Sequence, residues 1–165
     1  MKRIIPFIAL AIVLASSSAW AADATAAVDV YSAYVWRGIT FNDSPVAQPS
    51  IDVSKNGFGV NVWGNFDLDE YYGDYPDDME FSEVDLTLYY GFNIQKLDVT
   101  VGWIEYLFPA GGLGTREIYA SLGYPLIGGL SAGFDFYWDI DEVESYYTDL
   151  KLTYSMDLME KLSME

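Results

Sequence analysis

Apolar and polar residues alternate with a period of two through segments of about nine or ten residues along most of this chain. Residues 81–92 show the pattern best, because Leu86 and Leu88 fall on one side while Asp85 and Thr87 fall on the other. Side chains of a β-strand point alternately to opposite faces of a sheet. The pattern therefore predicts strands that each have one apolar and one polar face.

Eight alternating segments follow one another, and the second of them has only five residues. They span residues 28–37, 50–54, 58–67, 81–92, 97–106, 116–124, 130–139 and 146–155. The connections between them are alternately long and short, and the short one at Asn56 and Gly57 has the residue pair that tight hairpins prefer. Alternating loop lengths are typical of transmembrane β-barrels, whose tilted strands cross the bilayer with roughly 9–11 residues. The sequence thus predicts an all-β fold, an antiparallel transmembrane β-barrel of about eight strands. A secreted β-sandwich is the alternative, but it does not explain the loop lengths.

The N-terminus has the order of an export signal. Basic Lys2 and Arg3 precede an apolar run over residues 4–15, and a small-x-small motif ends at Ala21. The apolar run is short for a membrane anchor, so we expect cleavage after Ala21 and export to the outer membrane of a Gram-negative bacterium. The expected domains are a signal peptide (1–21), the barrel (22–155) and a C-terminal tail without strands (156–165).

The charge of the chain excludes several classes of function. The chain has 25 acidic and 8 basic residues, and loss of Lys2 and Arg3 leaves 6 basic residues and a net charge of −19. Such a surface repels nucleic acid, which needs Lys and Arg to bind its phosphates. There is no Cys and no His, so thiolate and histidine metal sites and Ser–His catalysis are excluded. We therefore expect no enzyme activity, no cofactor and no metal.

The polar sides of the strands carry many carboxylates and, by alternation, only three basic residues: Arg37, Arg116 and Lys151. Unpaired carboxylates are costly in a dry, packed interior, so we expect a water-filled lumen that attracts cations. A barrel with no passage is the alternative. Alternation turns Trp63 inward, where it would narrow the lumen, unless a local bulge returns it to lipid. The residues predicted to line the lumen are Asp29, Arg37, Asp52, Trp63, Glu83, Asp85, Asp98, Glu117, Asp135, Asp149 and Lys151.

Aromatic residues on the predicted lipid face gather at the ends of the strands, where interfacial girdles are expected. In the first segment, Tyr34 joins Trp36 on that face. The girdle candidates are Trp36, Trp103 and Trp138 at the outer ends and Tyr90, Tyr124 and Tyr154 at the inner ends.

Three stretches carry a resemblance to a known family. Residues 34–39 (YVWRGI) are followed by residues 44–49 (SPVAQP), and residues 81–85 (FSEVD) come later. Together they resemble the TorF-type porins, proteobacterial outer-membrane proteins of uncharacterised function. The resemblance implies an outer-membrane barrel that acts as a channel, and it carries over no catalytic or ligand residues. It also implies outer-membrane lipid, periplasmic chaperones and the barrel-assembly machinery as partners.

The C-terminus departs from this pattern. Barrels of this kind usually finish on a strand with a terminal aromatic residue, whereas residues 156–165 (MDLMEKLSME) are neither alternating nor aromatic. Either the chain is truncated from a larger barrel, or the eighth strand closes a small barrel that has a tail.

Two stretches are strongly acidic. Residues 67–80 carry seven carboxylates and residues 139–144 carry four. Calcium favours such oxygen ligands, but the spacing matches no defined calcium loop, so solvated acidic loops are the preferred interpretation. These loops give the competing function: a non-conducting structural or adhesive barrel that acts through its acidic, Tyr-rich surface.

Overall fold

The structure is a computed structural model that describes residues 22–69, 79–159 and 162–164. The predicted signal peptide and most of the acidic stretch 67–80 lie outside these residues. The described chain is all-β, as predicted. Among these residues, no helix has the length and apolar character needed to cross a membrane.

Eight strands form one antiparallel sheet in the order β1-β4-β5-β6-β7-β8-β9-β10. They are β1 Asp23–Tyr31, β4 Val46–Lys55, β5 Phe58–Asp67, β6 Glu80–Ile94, β7 Leu97–Leu107, β8 Thr115–Pro125, β9 Leu130–Asp139 and β10 Tyr146–Tyr154. The predicted eight-stranded antiparallel sheet is confirmed. β1 and β10 are its outermost strands, and they do not pair with each other within the described residues.

The connections alternate in length as the sequence predicts. β4 and β5 are joined by Asn56 and Gly57 alone, and both have positive φ (51° and 87°), which a tight hairpin requires. β6–β7 and β8–β9 are also joined by short turns, whereas β1–β4, β5–β6, β7–β8 and β9–β10 have longer connections. Because successive strands of the sheet are antiparallel, all four long connections lie at the same end of the sheet.

The pairing register gives the sheet one apolar and one polar face. One row across the sheet joins residues that are apolar in every strand: Ala24, Val53, Val60, Leu88, Trp103, Ile118, Trp138 and Tyr146. The adjacent row contains Asp52, Asn61, Thr87 and Glu117. Most large side chains of the apolar face are exposed.

The polar face is concave. Asn61 of β5 and Tyr137 of β9 line one cavity of about 380 Å³, although flat sheet geometry would place these strands about 19 Å apart. The Tyr89 hydroxyl of β6 also donates to Asp52 of β4, two strands away, with an O···O distance of 3.0 Å. The curvature therefore brings side chains from non-adjacent strands together.

The first predicted strand, residues 28–37, is wrong as a single element. The sheet strand β1 ends at Tyr31, and the chain then forms β2 Tyr34–Trp36 and β3 Ile39–Asn42, which pair only with each other in the described structure. Arg37 and Gly38 have positive φ (48° and 80°), so the backbone turns back on itself instead of extending.

Two other differences from the predicted strands are larger than one or two residues. β4 begins at Val46 and contains Pro49, next to which the ladder to β5 is interrupted, because proline lacks a donor N–H. The C-terminal residues predicted to lack strands contain β11 Met156–Met159 and β12 Leu162–Met164. These strands pair with each other and join no strand of the large sheet that the structure describes, so their pairing is local and does not need two-residue alternation.

Candidate functional site

The β2–β3 hairpin (residues 34–42) lies against the concave polar face of the sheet. Tyr34 is buried, and its hydroxyl donates to Glu83 Oε2 of β6 with an O···O distance of 2.8 Å. Its ring also packs against Trp63 of β5, with the ring centroids 5.7 Å apart. Burial and the nearby Glu83 carboxylate raise the pKa of Tyr34, which keeps its hydroxyl protonated as a donor. This contact fixes the first strand of the hairpin to β5 and β6.

The tip of the hairpin is bound by a carboxylate of β8, which lies two strands along the sheet from β6. Arg37 Nη1 and Nη2 donate to the two carboxylate oxygens of Glu117 over 2.6 and 2.7 Å. Tyr106 of β7 donates its hydroxyl to the same carboxylate over 2.8 Å. Glu117 is 3 % exposed, so water screens this bidentate pair weakly.

Three aromatic rings surround the same guanidinium. The central carbon of the Arg37 guanidinium lies 4.2, 4.4 and 4.6 Å from the ring centroids of Trp36, Tyr137 and Tyr147. Each distance is within the range of a cation–π contact. Burial lowers the pKa of Arg37. Its hydrogen bonds and its attraction to Glu117 raise the pKa by more than burial lowers it, so the net shift is upward. Arg37 is therefore a fixed cation held by β2, β8, β9 and β10.

Amide and carboxylate side chains fix the other end of the hairpin. Asn42 donates its side-chain amide to Asp67, and so does Asn65, over 3.0 Å in the second case. Asn65 also donates to Ser82 Oγ over 2.9 Å and accepts from Gln48 over 3.0 Å. This buried cluster joins β3 to β4, β5 and β6. The hairpin is thus attached at its tip, at Tyr34 and at its C-terminal end.

Among the described residues, three cavities follow one another along the polar face, and we name them from the end of the sheet that carries the long connections. An outer cavity of about 390 Å³ lies between the hairpin and the connections 108–114 and 140–145. A middle cavity of about 350 Å³ is lined by charged residues that include Asp135 and Lys151. The inner cavity is the one of about 380 Å³ that Asn61 lines, and it shares Tyr137 with the middle cavity. The outer and middle cavities share four lining residues: Trp36, Arg37, Tyr106 and Tyr147. These four side chains form the wall between the two cavities.

The register places ten of the eleven predicted lumen residues on the polar face; Arg37 reaches it from the hairpin instead. Glu83, Asp85 and Glu117 lie near the hairpin, and one oxygen of Asp85 is buried without a hydrogen-bond partner in the described structure. Asp29 and Asp98 are exposed near opposite ends of the sheet. Within the described ranges, no group of three or more acidic side chains converges as a metal site.

The other predicted lumen residues lie at separate places on the polar face. Asp52 accepts from Tyr89, whereas Trp63 packs against Tyr34 and is not returned to the apolar face by a bulge. In the middle cavity, Lys151 pairs with Asp135 and lies 3.6 Å from Asp149.

The inward placement of Arg116 is wrong. Arg116 pairs with Glu105 over 3.0 Å and with Asp141 over 3.3 Å, and its side chain is about half exposed. Its neighbour Glu117 points to the polar face, and alternation then turns Arg116 to the other face. The concave face near the hairpin thus has one cation fewer than the sequence suggested.

Two residues predicted to face lipid lie in the interior instead. Trp36 packs edge-on against Tyr106, with the ring centroids 6.2 Å apart, and Tyr34 is buried against Trp63. Both predictions assumed that β1 continues to residue 37, whereas the chain leaves the sheet after Tyr31. The remaining girdle candidates belong to the apolar face: Trp103, Trp138, Tyr90, Tyr124 and Tyr154.

Sequence reasoning missed the tyrosines that complete the site. Tyr106, Tyr137 and Tyr147 contact Arg37, its carboxylate partner or both. Alternation placed Tyr137 on the polar side, but no signal in the sequence pairs it with a residue about 100 positions earlier.

Comparison of the chain with curated proteins and with solved structures found no match in either set. A family model, described as a bacterial protein of unknown function (Gcw_chp), matches residues 15–161. This match covers the whole sheet, the hairpin and most of the C-terminal residues. The chain therefore belongs to the Gcw_chp family of bacterial proteins of unknown function.

Proposed function

We propose that this protein is an outer-membrane β-barrel that lets small solutes cross, with a weak preference for cations. The observation that carries the proposal is that the apolar face of the sheet is exposed while the polar face contains buried residues. Leu150, Leu152 and Phe58 on one face are 78, 72 and 67 % exposed, while Glu117 and Asp139 on the other face are 3 and 4 % exposed. An exposed apolar surface that extends over all eight strands favours lipid as its surroundings.

The arrangement of the strands supports closure into a barrel. The sheet has an even number of strands, so β10 runs antiparallel to β1 and the two edges have compatible directions. In the part of the chain that the structure describes, neither edge strand has a partner on its outer side, and backbone groups left unpaired there cannot be satisfied inside a bilayer unless the two edges pair. The sheet strands contain 9–15 residues, enough to cross when tilted.

The charge of the concave face supports the preference for cations. Glu83, Glu117, Asp135 and Asp139 lie there, and the basic residues Arg37 and Lys151 pair with only two of them, Glu117 and Asp135. Acidic linings attract cations and repel anions. The long connections would face the cell exterior, as they do in bacterial barrels. The resemblance to TorF-type porins agrees with this proposal.

Planar bilayers test the channel directly. The purified protein should give discrete conductance steps, and the reversal potential in a potassium chloride gradient should have the sign of cation preference. Anion preference would contradict the acidic-lumen proposal, and absence of conductance would contradict the channel itself.

The hairpin favours a second candidate function, a non-conducting barrel that acts through its surface loops. The hairpin occupies the concave face, and the connection 140–145 adds acidic residues at the same end. Liposome swelling separates the two functions. Entry of small sugars supports a passage, whereas intact liposomes that do not swell support the structural or adhesive role.

A further inference from the structure

We propose that the β2–β3 hairpin is the constriction of this channel, and that Arg37 and Glu117 decide which solutes pass from the outer to the middle cavity. The inference rests on the proposed channel function. It adds the position of the narrowest point and the two residues that control selectivity there.

The first step is the position of the hairpin tip. Trp36 and Arg37 line both the outer and the middle cavity, and Tyr106 and Tyr147 do the same. A solute that moves along the concave face from the long connections must therefore pass these side chains. The inner cavity, which includes Ser121, lies beyond them.

The second step is that the tip is held in place. Arg37 makes two short hydrogen bonds to Glu117, and three rings surround its guanidinium. Bidentate pairs of this kind fix geometry as well as charge. No atom outside the immediate chain neighbours lies within 4 Å of a Cβ built on Gly38, so there is open space at the turn itself. The wall between the two cavities is therefore thin at Gly38, and the contacts of Arg37 hold it in position.

The third step is charge. Arg37 is the one basic residue among those described around the outer cavity, which also contains Glu83, Asp139 and Glu142. Glu117 balances the Arg37 charge, so the remaining carboxylates dominate the local potential. Removal of Arg37 should strengthen cation preference, whereas removal of the Glu117 charge should expose the guanidinium and weaken it. If Arg37 and Glu117 only supported the fold, their removal would not shift the cation preference in opposite directions.

Access of thiol reagents tests the constriction without requiring current through the pore. The chain has no cysteine, so an introduced cysteine is the only thiol. Ser121→Cys reports the inner cavity and Ser145→Cys reports the outer cavity. Intact cells receive a positively charged, membrane-impermeant methanethiosulfonate reagent from outside. Ser121→Cys should react about tenfold faster when combined with R37Q, which corresponds to about 1.4 kcal/mol of barrier.

The controls distinguish an open constriction from general loosening. Arg116→Gln makes the same chemical change one residue from Glu117 but on the other face, and it should leave the Ser121→Cys rate unchanged. Ser145→Cys lies on the outer side of the wall, so its rate should change by much less than tenfold in every background. Trp36→Ala is a second way to open the wall if R37Q fails to fold, as judged by far-UV circular dichroism.

The proposed constriction would be overturned if Ser121→Cys reacted with the reagent at the same rate alone and in combination with a folded R37Q or Trp36→Ala substitution. Equal rates together with potassium conductance would place the pathway elsewhere and leave the channel intact. If Ser145→Cys does not react from outside, the proposed membrane orientation fails, and the inference fails with it.

Discussion

The guanidinium of Arg37 and the carboxylate of Glu117 form a bidentate ion pair, although 80 residues separate them in the chain. Arg37 belongs to a hairpin that has left the sheet, and Glu117 lies on β8, the sixth of the eight strands in the sheet order. The pair therefore holds the hairpin against a strand that is distant from it in the chain. Loss of either partner leaves the other charge buried, which is costly.

Glu117→Gln should lower the free energy of unfolding by about 3 kcal/mol, because it leaves Arg37 without its buried counter-charge. Glu105→Gln is the matched control, since it breaks the exposed pair with Arg116 and should cost less than about 1 kcal/mol. Urea unfolding in lipid vesicles measures both. Equal losses would mean that burial adds nothing to the Arg37 pair.

Tyr34→Phe should lower the free energy of unfolding by about 1–3 kcal/mol, because the buried Glu83 carboxylate loses a hydrogen-bond donor. Tyr31→Phe provides the control three residues earlier, because Tyr31 is exposed on β1 and should change stability by less than about 0.5 kcal/mol. The same urea titration compares the two. If Tyr34→Phe left the free energy of unfolding unchanged, the hairpin would not depend on this contact.

The sheet was predictable from the sequence because its signal is local. Each strand shows its own alternation, and the Asn56 and Gly57 turn fixes the register of β4 and β5. Alternation also assigned Trp63 and Glu117 to the polar face, since the period of two needs only the strand itself.

The site was not predictable, because its contacts join segments that are far apart in the chain. The pattern of residues 28–37 is equally compatible with one strand and with a strand, a bend and a hairpin. The positive φ of Arg37 decides between them, and positive φ is uncommon for a residue of this kind. Once the chain turns there, Tyr34 and Trp36 enter the interior and meet Tyr106, which no local pattern indicates.

Closure of the barrel predicts a short distance between the edge strands. Spin labels at Ala26 of β1 and Leu150 of β10 both lie on the apolar face. A closed barrel brings them near the strand spacing of about 5 Å, lengthened by the label arms and any offset along the strands, whereas seven spacings of a flat sheet give roughly 34 Å. Pulsed electron paramagnetic resonance in lipid vesicles measures the distance. A second pair, Ala26 and Leu152, controls for the offset, and long distances in both pairs would contradict closure.

The two faces of β8 predict opposite tolerance for a positive charge. Ala120 lies in the apolar row with Val101 and Phe136, while the next residue, Ser121, lines the inner cavity. In lipid vesicles, Ala120→Lys should lower the free energy of unfolding by about 2–4 kcal/mol, because it places an ammonium group in hydrocarbon. Ser121→Lys adds the same side chain one position away, but in the inner cavity and opposite Asp135 of β9, and should cost at least about 1.5 kcal/mol less. Equal losses, measured by urea titration, would contradict lipid on the apolar face.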